Sequence, residues 1–170
     1  MNKNKNILHY AAGLFDGEGC VDIYKASTSK ASKSISLMLR VTLSQKDGQI
    51  MNWLQDNFGG YVGINRASGH YIHCWDIRSQ KAKEFLSLIY PFSIIKKEQI
   101  KVALEFETNK GKYLETLKGY QGFRTLSEEE IKNRMETKEK LMRMKREYTP
   151  YIKNGINFTA TTTKRKNILK

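Results

Sequence analysis

The sequence predicts an α+β domain in which helices cover one side of a four-stranded antiparallel sheet. The chain has 170 residues and 39% are hydrophobic, enough for one core but too few for two comfortable ones. Residues 35–44 alternate apolar and polar side chains, as expected of a strand with one buried face. Two shorter runs flank the turn Arg66-Ala67-Ser68-Gly69 and predict a hairpin. Strands interspersed with helical segments make this an α+β fold.

The remaining elements follow from apolar spacing and from residues that end a helix. A first helix is predicted over 7–16, ending at the turn Gly17-Glu18-Gly19. The other predicted elements are strands 20–28, 35–44, 61–65 and 70–77 and helices 48–58, 81–89 and 98–107. A capping box of Ser127 and Glu130 begins a last helix that extends to about Tyr148, before Pro150.

The domain prediction separates a folded part from a basic end. We expect one domain over 1–150, because no internal repeat divides it. Residues 151–170 hold five basic side chains and no acidic one, which is typical of a flexible basic tail.

Charge restricts the partners that this protein can have. Lys and Arg total 30 against 17 Asp and Glu, a formal net charge of +13. Such a surplus favours a polyanionic partner or an anionic membrane surface. No run approaches the roughly 20 apolar residues of a membrane span, no secretory signal is visible, and 151–170 lacks an amphipathic pattern. We therefore expect a soluble, basic, intracellular protein, and the membrane is the less favoured partner.

The cysteines do not suggest a disulfide framework, since Cys20 and Cys74 are isolated in the sequence. A zinc site at His70, His73 and Cys74 would need a further ligand, such as Cys20 or His9, from far along the chain. We expect ordinary strand residues there instead.

The segment from Tyr10 to Gly19 carries the strongest chemical signal. Gly13 stands in the interior of the predicted helix, where glycine costs about 1 kcal/mol relative to alanine. Ala12-Gly13 therefore suggest close approach of another backbone, with helix packing inside the chain as the alternative. Asp16 and Glu18 follow at the helix C-terminus, where the helix dipole disfavours negative charge. Carboxylates in that position suggest a bound cation, and hard oxygen ligands suit Mg²⁺; a plain turn is the alternative.

The segment Ala11-Ala12-Gly13-Leu14-Phe15-Asp16-Gly17-Glu18-Gly19 resembles the nine-residue motif of the LAGLIDADG homing endonucleases. Three further segments resemble the family in its order and at compatible spacing, through about residue 107: 43–46, 60–62 and 90–96. The resemblance implies the fold αββαββα with C-terminal helices. It also implies an intron-encoded, site-specific DNA endonuclease that makes a staggered break in both strands of a long site.

The resemblance also implies roles for individual residues. Glu18 and the Gly19 carbonyl match the metal ligands, and Gln45 and Lys96 match the groups that order the attacking water. Mg²⁺ is the expected cofactor, with Mn²⁺ or Ca²⁺ able to occupy the same sites. Three residues are predicted as secondary members of the active site: Asp16, Lys46 and Lys97. Asp16 matches an acid of the motif that is structural more than catalytic.

A single motif implies two chains, because family members act where two motif helices meet. We expect a homodimer that reads a pseudo-palindromic double-stranded DNA site, with Ala12 and Gly13 at the dimer interface.

Side chains that point away from the predicted core are candidates for DNA contact. Arg40 is the first candidate for pairing with guanine in the major groove. Alternation gives Cys20, Asp22, Tyr24, Thr28, Ser36, Met38, Arg40, Thr42, Tyr61, Asn65, His70 and Ile72. Arg66 at the hairpin tip and Arg78 at a strand end are added.

Two other functions are compatible with the same fold. An intron RNA maturase that has lost cleavage would share the basic charge, and a catalytically silent DNA-binding regulator would share the DNA-binding face. The Lys- and Asn-rich composition suits an organelle (chloroplast or mitochondrion), a phage or a microbial host, and the sequence does not distinguish these.

Overall fold

A computed structural model describes residues 4–26, 36–67, 69–109, 114–115, 125–126, 128–146, 151–153 and 156–158. The strands of the main sheet are β1 (Gly19–Ala26), β2 (Ser36–Gln45), β3 (Tyr61–Ala67) and β4 (His70–Arg78). The helices are α1 (Lys5–Glu18), α2 (Gly48–Phe58), α3 (Ser79–Ile89), α4 (Lys97–Asn109) and α5 (Glu128–Arg146). The sheet order is β1-β2-β4-β3 and all neighbouring strands are antiparallel. The predicted α+β class and the order αββαββα are confirmed.

The core lies between one side of the main sheet and the helices. Val21 and Ile23 of β1 have no solvent exposure, and the apolar residues of β2 at 37, 39, 41 and 43 are equally buried. Alternation therefore leaves the polar residues of both strands on the opposite side of the sheet. Trp75 of β4 and Phe15 of α1 both stack edge-on against Phe85 of α3, which joins sheet and helices in one cluster.

Helix α1 is longer than predicted, and the difference determines where its acids lie. The helix includes Gly17 and ends at Glu18, after which Gly19 adopts an extended conformation. The Gly19 N–H donates to the Phe15 carbonyl, and a Cβ at Gly19 would lie 2.2 Å from the Phe15 ring. Glycine is therefore required at position 19, and Glu18 becomes the last helical residue.

The C-terminal part adds one long helix and two short pairs of strands. Helix α5 packs on α4, where the Arg134 guanidinium lies 6.0 Å from the centre of the Phe106 ring and Leu141 joins the core. Within α5, Arg134 forms a buried ion pair with Glu130, whose Nε–Oε1 distance is 2.6 Å. The short pairs are β5 (Leu114–Glu115) with β6 (Thr125–Leu126) and β7 (Tyr151–Lys153) with β8 (Ile156–Phe158).

Several predictions for the C-terminal part fall in or near segments that the structure does not describe. The strands β7 and β8 lie inside 151–170, the segment predicted as a flexible tail, and the rest of that segment is outside the described residues. The predicted N-cap of the last helix, Ser127, is also outside them. In the described ranges, no helix combines the length and the hydropathy that a bilayer crossing requires.

Candidate active site and nucleic-acid interface

Asp16 is buried at the end of α1, where four donors from one distant segment occupy its carboxylate. Oδ1 accepts from the Ser93 hydroxyl at 2.5 Å and from the Lys96 N–H at 3.0 Å, and Oδ2 accepts from the N–H groups of Ile94 and Ile95 at 2.6 and 3.1 Å. Burial by itself would raise the pKa of Asp16, but these hydrogen bonds outweigh it and the pKa is lowered. Asp16 is thus an internal anchor for residues 93–96.

Lys96 neutralises the negative end of the same helix. Its Nζ donates to the carbonyls of Phe15 at 2.9 Å and Asp16 at 2.8 Å, and lies 3.5 Å from the carbonyl of Gly17. A cation at the last carbonyls of a helix opposes the helix dipole. Burial lowers the pKa of the Lys96 ammonium, and nearby acidic groups, Asp16 first, oppose that shift only in part.

Glu18 differs from Asp16 because its side chain is exposed. It lies at the junction of α1 and β1, next to Gly19, whose strand partner is Leu43. Gln45 is two residues further along β2 than Leu43, so it lies at the same end of the sheet as Glu18. The Lys96 ammonium is also at this end, because its Nζ lies 3.5 Å from the carbonyl of Gly17, the residue before Glu18. Glu18, Gly19, Gln45 and Lys96 are therefore gathered at one end of α1.

The two motif acids differ in what they offer a hard divalent cation. The Glu18 carboxylate and the Gly19 carbonyl are oxygen donors of the kind that Mg²⁺ prefers, whereas the Asp16 carboxylate is occupied by hydrogen bonds. In the described ranges, no three His, Cys, Asp or Glu side chains cluster as metal ligands. The zinc site considered for β4 is not formed, since alternation turns His73 away from His70 and Cys74.

The two secondary lysines have different surroundings. Lys46 is exposed just after β2. Lys97 begins α4, and its Nζ lies 5.3 Å from the centre of the Tyr90 ring, so a cation–π contact holds it.

The outer side of α1 is lined by glycine. Gly13 and Gly17 are four residues apart and therefore share a face; both are exposed, and a Cβ at either position would meet nothing within 4 Å. Ala12 is completely buried in the core of its own chain. The prediction that Ala12 lies at a dimer interface is therefore wrong. Ala12 and Gly13 are neighbours in the helix and point in different directions, so Ala12 faces the core while Gly13 faces outward.

The side of the main sheet opposite the helices is here called the polar face. The members of the polar face are Cys20, Asp22, Tyr24, Met38, Arg40, Thr42, Ser44, Tyr61, Asn65, His70, Ile72, Cys74, Asp76 and Arg78. The structure brings together on this face the predicted contact residues except Arg66, Thr28 and Ser36. Register places Arg66 beside Tyr71 on the other side of the sheet, which corrects its prediction. Thr28 is outside the described residues, and only the backbone of Ser36 is described.

Two arginines and one aspartate form a compact unit in the middle of the polar face. Arg40 and Arg78 are cross-strand partners, and both pair with the buried carboxylate of Asp76. Burial alone would raise the pKa of Asp76, but hydrogen bonds from Arg78 and Arg40 and their charges lower it. The two guanidinium carbons lie 5.8 Å (Arg40) and 5.5 Å (Arg78) from the centre of the Tyr24 ring.

Sequence reasoning missed Asp76 and the contribution of α5. An acid and a base two residues apart on one strand share a face, so Asp76 followed by Arg78 was a usable signal. No local pattern shows that Lys145 of α5 approaches β1. Its Nζ lies 3.5 Å from Asp22 and 3.4 Å from the Cys20 sulfur, which adds positive charge beside the polar face.

Comparisons with known proteins agree with the fold and the motif. The LAGLIDADG endonuclease family model matches residues 11–98, slightly more than half of the chain. No curated protein sequence matches the chain. Among solved structures, the homing endonuclease I-CvuI, crystallised with the I-CreI target and Mg, has a TM-score of 0.66 at 12% identity and covers 87% of each chain.

Two further structures show the same fold at different chain lengths. An archaeal intron-encoded homing endonuclease, I-Vdi141I in complex with DNA, has a TM-score of 0.54 at 16% identity over 82% of this chain and 99% of its own. The meganuclease I-AabMI bound to uncleaved DNA has a TM-score of 0.59 at 19% identity over 78% of this chain but only 45% of its own. The fold, the motif residues at the end of α1 and the family match together show that this chain belongs to the LAGLIDADG endonuclease family.

Proposed function

We propose that this protein is a homodimeric homing endonuclease that makes a staggered, Mg²⁺-dependent double-strand break at a pseudo-palindromic DNA site. The observation that carries the proposal is the different state of the two motif acids. Asp16 is consumed by four hydrogen bonds, whereas Glu18 is exposed next to the Gly19 carbonyl, Gln45 and Lys96. Of the two motif acids, Glu18 is the one available as a ligand, and two copies of the chain would provide two carboxylates.

The chain's own residues would divide the work of hydrolysis. Mg²⁺, when bound, would polarise the scissile phosphate and lower the pKa of a water molecule. Glu18 and the Gly19 carbonyl would hold the metal, and Gln45 would orient the attacking water. Lys96 is fixed by the α1 carbonyls at the edge of this site, where its charge would favour a phosphate.

Several features support a second copy of this chain as the partner. Gly13 and Gly17 leave an open face on α1 where another helix could approach closely. Ile94 and Ile95, which bind Asp16 through their N–H groups, carry side chains that are 85% and 75% exposed. The chain also corresponds to about half of I-AabMI in length.

The direct test uses a library of plasmids that contain randomised duplex inserts. With Mg²⁺, the protein is expected to linearise a small fraction of the library, and sequencing of the ends should give one site with two related halves and a fixed stagger. Specific binding without any cutting would favour the catalytically silent regulator. Tight binding of an intron RNA together with no cutting would favour the maturase.

Replacement of Gly13 by leucine is expected to separate the dimer without unfolding the chain. The protomer has room for the new side chain, and leucine is favoured over glycine in a helix by about 1 kcal/mol, so the protomer should fold. A second helix could no longer approach closely. Sedimentation equilibrium should give the mass of a monomer, circular dichroism should show that it is folded, and a plasmid-cleavage assay should show no cutting. Asn52→Leu, at an exposed position of α2, is the control and should remain dimeric; a dimeric Gly13→Leu variant would move the interface away from this face.

Replacement of Lys96 by methionine is expected to slow cleavage by about 10²-fold, the range of a lost proton-transfer or charge-stabilising group, with little change in DNA affinity. Methionine keeps the length of the side chain but removes the donor to the α1 carbonyls. Single-turnover cleavage and binding without Mg²⁺ measure the two effects separately. Lys101→Met, exposed on α4, is the charge-matched control. Equal losses of affinity and rate would reduce Lys96 to a phosphate contact.

A further inference from the structure

The unit of Arg40, Asp76 and Arg78 on the polar face has a geometry that assigns different roles to its acid and its bases. Arg40 donates from Nε to Oδ2 of Asp76 at 2.6 Å and also through Nη2 to the same oxygen. Arg78 donates from Nε to Oδ1 at 2.8 Å and from Nη2 to Oδ2 at 3.1 Å. Asp76 therefore faces four donor nitrogens, three of them at Oδ2 and one at Oδ1. Its carboxylate lies beneath the two guanidinium groups and is poorly placed to accept from a DNA base.

The arginines, in contrast, keep donors at their outer edges. In both side chains the contacts to Asp76 use Nε and Nη2, and Arg78 also hydrogen-bonds to the Tyr24 side chain. Beyond these contacts, each guanidinium has donors at its Nη end, the end that matches O6 and N7 of guanine. The side chains of Arg40 and Arg78 are 39% and 53% exposed, whereas that of Asp76 is 9% exposed. The donors thus face outward and the acid lies beneath them.

We propose that Asp76 is a positioning residue that fixes Arg40 and Arg78 as one unit for recognition of guanine in each half of the DNA site. This inference rests on the proposed function. Without Asp76, two adjacent guanidinium groups would repel each other and each would sample several rotamers. With it, both are held at a fixed spacing above the sheet, and the Tyr24 ring packs beside them. Fixed donors discriminate between bases, whereas mobile cations bind any phosphate.

The test is a comparison of base preferences in Asp76→Asn and the wild type. Sites are selected from a randomised duplex library by binding without Mg²⁺, so that the result does not depend on cleavage. Asp76→Asn removes one negative charge from the polar face and leaves both arginines unpaired, so its affinity for unrelated DNA should rise and its salt dependence should become steeper. At the same time, its preference for guanine at one pair of symmetric positions should fall, on the order of tenfold, the usual worth of a bidentate contact.

Two controls separate positioning from simple charge or instability. Asp56→Asn removes the same charge from an exposed position on α2 and should keep every base preference. Arg40→Lys and Arg78→Lys keep the charge but lose the fork, so they should lose the same guanine preference as Asp76→Asn. They also test the inference if Asp76→Asn does not fold. A purely structural role of Asp76 would weaken binding to all sequences without changing their order.

The outcomes for this inference and for the proposed function are distinct. If the wild type selects a site and the Asp76→Asn, Arg40→Lys and Arg78→Lys variants keep its guanine preferences unchanged, the inference is overturned while the proposed function stands. If the wild type selects no sequence at all, the proposed function itself fails. If it selects a site but does not cut it with Mg²⁺, the positioning role is still tested by the binding selections.

Discussion

Replacement of Glu18 by glutamine is expected to abolish double-strand cleavage while DNA binding is retained. Glutamine keeps the size of the side chain but removes the charge that would hold Mg²⁺ at the end of α1. Loss of a metal ligand of this kind costs several kcal/mol of transition-state stabilisation, which corresponds to at least about 10³-fold in rate. The measurement is single-turnover cleavage of the selected site with Mg²⁺, alongside affinity determined without it.

The exposed position of Glu18 separates an effect on cleavage from an effect on folding. Glu18 is exposed, so its replacement should leave the fold and the Asp16 contacts undisturbed. Glu105→Gln, at an exposed position of α4, removes the same charge elsewhere and should cut at the wild-type rate. If Glu18→Gln still cuts at a comparable rate, the metal must be held by other groups, and the central assignment of the proposed site is lost.

Patterns of short period in the sequence are sufficient to predict the sheet and its two sides. Alternation in 35–44 correctly assigned the buried and the polar residues of β2, because a strand with one covered face must alternate. Arg66 was not assigned by this rule, because the sequence placed it in the hairpin turn, whereas β3 continues through it. Helical spacing likewise located α1 but not the inward orientation of Ala12, for which the neighbours of the helix must be known.

The distinction between Asp16 and Glu18 could not be derived from local patterns. Both acids oppose the dipole of α1, and the sequence alone offers a cation as the explanation for either. The structure explains Asp16 differently: its partners are N–H groups and a hydroxyl 77 to 80 residues away, and Lys96 neutralises the helix end. For Asp76 the spacing to Arg78 was a local signal, but its second partner, Arg40, comes from β2 and could not be found in that way. Contacts between distant segments decide which acids remain free.

Replacement of Asp16 by asparagine is expected to lower the free energy of unfolding by about 3 kcal/mol, because hydrogen bonds to a charged group are strong and unpaired buried donors are costly. An amide has one oxygen, and its NH₂ group would face two donors, either the N–H groups of Ile94 and Ile95 or the Ser93 hydroxyl and the Lys96 N–H. For a domain of this size the loss corresponds to a melting temperature lower by roughly 6–12 °C. Thermal unfolding at pH 7 and at a fixed protomer concentration measures it.

The pH dependence of that difference identifies the carboxylate as its source. The pKa of Asp16 is lowered in the folded chain from its usual 3.8, so the stability it contributes is fully present above that value and is lost as the pH falls through the folded pKa. The gap between wild type and Asp16→Asn should therefore be constant near neutral pH and shrink in acid. Ser93→Ala removes one of the four donors and leaves the other three in place, so it should cost less, about 1.5–2 kcal/mol. A gap that is small at pH 7, or that does not change in acid, would mean that the ionised Asp16 does not hold residues 93–96 against α1.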